Sequence, residues 1–99
     1  MDVTYQLQGV LFEWDENKAE TNVQKHGVTF EEATEVFFDP FYQTGEASAD
    51  ANEERDFIIG YTFSQRLLLA VYTERSDRTR IISARAATRA ERIVYEESN

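Results

Sequence analysis

The chain has 99 residues, 41% of them hydrophobic, with seven Phe, five Tyr, no Cys and a formal net charge of −9. That composition supports one domain with one modest core and is too apolar for a disordered chain. Without cysteine there are no disulfides or thiolate zinc sites, and no apolar run nears the ~20 residues that span a bilayer; with no signal-peptide pattern at the start, the expectation is a single cytoplasmic domain over residues 1–99.

Residues 1–6 are expected to form a loose N-terminal extension. Leu7 to Trp14 alternate as in a short strand. Asp15 then suits an N-cap, and Gly27 a C-terminal stop behind Lys25 and His26 in the last helical turn. Thr29 with Glu32 reads as a capping box for a second helix, which should end at Asp39-Pro40 because the residue before proline disfavours helical backbone. Residues 41–54 are polar and turn-like. Three strands follow at about Arg55–Thr62, Leu67–Arg75 and Arg78–Arg85, and Thr88 with Glu91 starts a final helix through Ile93 and Tyr95. The order gives an α+β domain: an antiparallel sheet of about four strands, two N-terminal helices on one face, and a C-terminal helix.

Ser76-Asp77 should close the last two strands as a hairpin. With an even-numbered loop, one face presents Leu69 with Ala84, Val71 with Ile82, Thr73 with Arg80, and Arg75 with Arg78. The other presents Leu68 with Arg85, Ala70 with Ser83, Tyr72 with Ile81, and Glu74 with Thr79. The first face is expected to carry the helices. The second, with Tyr72, Glu74, Ser83 and Arg85, is expected to floor a cleft. A one-residue slip would invert this assignment.

The charge is unevenly placed. Residues 1–63 hold three basic residues against 14 acids, and residues 64–99 hold seven Arg against five acids. The negative balance suits a basic protein partner; the arginine-rich end suits an anionic ligand or simply a solvated surface.

Three runs stand out: Phe12-Glu13-Trp14-Asp15, then Lys25-His26-Gly27-Val28 with Phe30-Glu31-Glu32-Ala33, and far downstream Arg80-Ile81-Ile82-Ser83-Ala84-Arg85. Together they resemble the BrnT family, from about Phe12 to Tyr95. The resemblance implies a RelE-like fold and a metal-independent endoribonuclease toxin, acting without cofactor. It also implies a cognate antitoxin of ribbon–helix–helix type, BrnA-like, which blocks the toxin and alone meets DNA.

Cleavage by the RNA's own 2′-hydroxyl needs a base, an acid and cations for the charge on the phosphorane. His26 is the acid–base candidate, because histidine ordinarily titrates near neutrality; capping the last carbonyls of its helix is its structural alternative. Lys25, Arg85 and Arg75 are candidate phosphate contacts at the reacting centre, with Glu74 as a second possible base. Arg80, Arg78, Tyr72 and Lys18 are candidate contacts along the RNA. Tyr95, Phe12 and Trp14 read as packing residues. A toxin-like module that binds a partner and cleaves nothing is the competing reading, supported by the acidic balance.

Overall fold

A computed structural model of the protein describes residues 1–49 and 54–98. Its first element is a strand, where a loose extension was expected. β1 (Asp2–Leu7) pairs antiparallel with β2 (Val10–Asp15), and Gln8 and Gly9 turn between them at φ 49° and 83°. Two consecutive positive φ values give a hairpin turn whose twist matches the strands. Val3, Tyr5 and Leu7 pack on the core, while Asp2, Thr4 and Gln6 are exposed. That period of two makes the segment a strand and splits the single strand expected at Leu7–Trp14.

α1 (Glu16–His26) begins and ends at the expected caps. Asp15 accepts the Lys18 N–H at 3.0 Å, and Gly27, at φ 66°, donates to the Val23 carbonyl at 2.8 Å. Thr29 accepts the Glu32 N–H at 3.0 Å and caps α2 (Phe30–Thr34), after which a 3-10 turn at Glu35–Phe38 leads to Asp39-Pro40. Part of the expected loop is another edge strand, β3 (Gln43–Ala49), and residues 50–53 lie outside the described residues. β4 (Glu54–Tyr61), β5 (Leu67–Arg75) and β6 (Arg78–Ala86) follow. α3 (Arg89–Glu97) then opens with both halves of the Thr88–Glu91 capping box in place.

The sheet is therefore mixed and six-stranded, in the order β1-β2-β6-β5-β4-β3, with β2 and β6 parallel. Its extra strands are the two edges, which have a neighbour on one side only and so carry a weak apolar signal. The main core lies between the sheet and α1, α2 and the 3-10 turn, with Phe12, Trp14, Phe30, Val36, Ile58, Leu68 and Ile81 all buried. α3 lies on the opposite face, where Tyr95 packs with Ile59 and Leu67.

The hairpin follows the expected register from Arg75↔Arg78 to Tyr72↔Ile81, and then slips. Val71 pairs with Ser83 and Leu69 with Arg85, leaving Ile82 as one extra residue in β6. This β-bulge changes which residues share a face. Leu68 and Ala70 are buried in the main core, with Tyr72 packed against it. Leu69, Val71 and Arg80 occupy the opposite face, the reverse of the expectation for all three, and the bulge brings Arg85 to that face beside Leu69.

Candidate functional site

α1 leaves β2 at Asp15 and runs beside β6 beyond the last β2–β6 pair, Glu13↔Arg80. There the edge of β6 would lack a partner. Asn22 supplies one: its amide donates to the Ala84 carbonyl at 2.8 Å and accepts the Ala84 N–H at 3.1 Å, as a neighbouring strand would. It also donates to the Val28 carbonyl at 2.9 Å, and it is 5% exposed. All three bonds are buried, where an unmade bond is costly. Asn22 was not singled out from the sequence; a polar amide within an 11-residue helix poor in apolar residues was the available signal.

Asn22 fixes the rotation of α1. Lys18, Lys25 and His26 stand four, three and four residues from it and so lie on or beside the same stripe. They line a shallow pocket of about 300 Å³ together with Asn17, Thr21, Ile82 and Ser83. The bulge thus sets the pocket wall as well as the register. Lys18, Lys25 and His26 are exposed, and among the described residues no ion pair engages them. Three groups capable of positive charge converge there without carboxylates to neutralise them.

The candidate arginines are placed differently. Arg80 donates to Glu13 at 2.7 Å and to both carboxylate oxygens of Asp2 at 3.1 Å, so it ties β6 to β2 and β1. The hydrogen bond to Asp2 raises its pKa, against the effect of burial, and Glu13 adds to the rise. Arg78 reaches Thr4 Oγ1 at 3.3 Å and Glu13 at 3.6 Å. Arg75 pairs across the strands with Arg78. Arg85 makes a fork with Glu91, at 2.8 and 2.9 Å, joining β6 to the first turn of α3. The Arg85 hydrogen bond holds the Glu91 carboxyl down at about 2, well below its ordinary range, with burial opposing.

Tyr72 and Glu74 do not join this face. The Tyr72 ring meets Phe37 edge-on at 5.1 Å on the side of the N-terminal helices, where burial raises its pKa, with help from nearby Asp56 and Glu74. Glu74 accepts the Thr79 hydroxyl at 3.1 Å near the hairpin tip. The expected cleft floor is corrected for this reason: the extra residue at Ile82 moves Ser83 and Arg85 away from Tyr72 and Glu74. Among the described residues no three His, Asp or Glu side chains gather to hold an ion.

Residues 14–91 match the family described as ribonuclease toxin, BrnT, of type II toxin–antitoxin system. The chain belongs to the BrnT family. Among solved structures it is similar to the Brucella abortus ribonuclease toxin BrnT, with a TM-score of 0.59 and 26% sequence identity, over 77% of this chain and 94% of that one. No curated protein sequence matches it. The BrnT match takes in the Lys25–His26 pocket, the Ile82 bulge and Arg85 through Glu91. It begins after β1, so the first strand lies outside the matched region. No helix among the described residues is long and apolar enough to cross a membrane.

Proposed function

We propose that this BrnT-family chain is an endoribonuclease of RelE-type kinship that cleaves RNA by internal attack of a 2′-hydroxyl, without a metal. The observation that carries this reading is the pocket joining Lys18, Lys25 and His26 to Ser83. A phosphodiester set there meets cations that no carboxylate already holds. The 2′-hydroxyl gives its proton to a base and bonds to phosphorus. The bond to the 5′-oxygen then breaks, leaving a cyclic phosphate, and an acid supplies the proton that the departing oxygen needs. His26 is placed for one of these transfers, and Lys25 and Lys18 for the phosphate charge.

Arg85 is the further residue we assign to phosphate binding. Its pair with Glu91 is partly solvated, with the two side chains 39% and 29% exposed. Exchanging a solvated carboxylate for a phosphate costs about 1 kcal/mol or less. Arg80 is unsuited to that exchange, being 13% exposed and held by two carboxylates. We assign Arg78 and Arg80 to bracing the β1–β2–β6 edge.

On this reading the chain arrests growth until an antitoxin of ribbon–helix–helix type covers it, and it meets DNA only through that partner. The test is incubation of the partner-free chain with total RNA in EDTA, alongside His26→Ala, Lys25→Ala and Arg85→Ala. Cleavage that persists in EDTA and is lost in the variants, with folding retained, supports the assignment. Cleavage abolished by EDTA would sink the metal-free mechanism.

A second reading has one observation behind it: Arg78, Arg80 and Arg85 of β6 are already engaged by carboxylates of the chain itself. A domain that only binds its partner would show no cleavage even when ribosomes are supplied.

A further inference from the structure

Where the 3-10 turn, the β4–β5 connection and α3 meet, a cavity of about 630 Å³ opens to solvent between Phe38, Phe41, Tyr61, Phe63 and Tyr95. It shares no residue with the Lys25–His26 pocket. Phe41 and Phe63 are 59% and 55% exposed, and Tyr42 beside them is 50% exposed. Among the described residues these are the exposed large aromatics; the other exposed large hydrophobics are Met1, Val10, Val23, Ile93 and Val94. Aromatic side chains gathered in water at one corner mark an interaction surface.

The corner is held in shape from beneath. Asp39 Oδ1 accepts the Phe41 N–H at 2.8 Å, and its Oδ2 accepts the Tyr61 N–H at 2.7 Å and the Tyr95 hydroxyl. Glu35 accepts the Phe63 N–H at 3.0 Å, tying the β4–β5 connection to the 3-10 turn. The rings therefore present a preformed surface, which reduces the ordering cost of binding.

Charge decides what fits it. Glu35, Asp39 and Glu96 stand in or beside the cavity. The nearby arginines are engaged: Arg66 with Glu32 at 2.8 Å, and Arg92 with Glu96 at 3.8 Å and the Tyr61 hydroxyl at 3.1 Å. Burial pushes the Asp39 carboxyl up, but the hydrogen bonds from Tyr95, Tyr61 and Phe41 outweigh it and keep the group anionic. Ring faces beside carboxylates attract cations and repel a phosphate backbone.

We infer that this corner docks a basic segment of a partner protein, with an arginine or lysine entering between Phe41 and Phe63 toward Glu35 and Asp39. An apolar neighbour in the same segment covers the rings. The inference goes beyond the ribonuclease reading and does not depend on it.

The test is an amide-resolved NMR titration of the whole chain with a decapeptide of alternating arginine and leucine. A glutamate–leucine decapeptide and a ten-nucleotide oligoadenylate serve as the other arms. The arginine peptide is expected to shift the amides of Phe41, Tyr61 and Phe63 saturably, and the glutamate peptide to leave them unmoved. Phe41→Ser combined with Phe63→Ser should abolish the shifts while the spectrum stays dispersed, because both side chains are exposed. Glu96→Gln should weaken binding about fivefold, the effect of one partly exposed charge. RNA cleavage by the double variant should equal that of the parent, which separates this surface from the cleavage site. No response at these amides, an equal response to the glutamate peptide, or a response there to the oligonucleotide would each overturn the inference.

Discussion

At the scale of single residues, polar side chains in buried or half-buried places organise the molecule. Asn22 holds the end of β6 that β2 does not reach, through three buried hydrogen bonds. Asn22→Ala should cost roughly 3 kcal/mol, since it strands two carbonyls and an N–H from water; urea denaturation would measure it. A loss near zero would mean that water replaces the amide there. Glu91 gives a pH signature. Its carboxyl is lowered from 4.5 to about 2, chiefly by the Arg85 hydrogen bond. A depressed folded value means that its stabilisation is present above about pH 4.5 and fades as the pH falls toward 2. Glu91→Gln should therefore lower the melting temperature at pH 6 and change it least at pH 2. Equal loss at both pH values would assign the effect to packing.

At the scale of elements, two close approaches fix how the layers meet. A Cβ on Gly60 would lie 2.9 Å from the Val36 carbonyl oxygen and 3.2 Å from Asp39 Cβ, so β4 touches the 3-10 turn with no room for a side chain. Gly60→Ala should destabilise by about 1–3 kcal/mol as the two separate. Chemical denaturation would show this, and the Asp39 contacts with Tyr61 and Tyr95 should loosen with it. The second device is the bulge at Ile82. With Ile82 kept and the ladder uninterrupted, Arg85 would pair with Leu68 and turn from the α3 side toward the buried core, whereas deleting Ile82 leaves Arg85 opposite Leu69. An arginine unpaired in a core costs several kcal/mol. Deleting Ile82 avoids that cost, so the deletion variant should keep a cooperative thermal transition by circular dichroism. A deletion variant without such a transition would show that the bulge itself is needed to shape β6.

At the scale of the whole molecule, a chain of net charge −9 must bind an anion through a local cluster of cations. Each phosphate contact to single-stranded RNA contributes about −0.7 to the slope of log affinity against log salt. Contacts from Lys18, Lys25 and Arg85 predict a slope of about −2, and Lys25→Ala should reduce its magnitude by about 0.7. An unchanged slope would remove Lys25 from the RNA surface. Local signals were legible in the sequence: the caps at Asp15, Gly27, Thr29 and Thr88, the Ser76-Asp77 turn, and the Lys25-His26 helix end. Each depends on a few adjacent residues, and the family resemblance rests on three such short runs between Phe12 and Arg85. β1 was legible but missed, because Val3, Tyr5 and Leu7 alternate with Asp2, Thr4 and Gln6. The edge strand β3 had no such pattern. Sequence alone thus determined the helix starts, the hairpin turn and the family, while the second helix gives way to a 3-10 turn at Glu35 before the expected end at Asp39-Pro40. Tertiary structure decided which face each β6 side chain takes, because one unpaired residue reverses the alternation beyond it. It also decided that Asn22 aligns α1 with β6, since hydrogen bonds between residues 62 positions apart leave no trace in local periodicity.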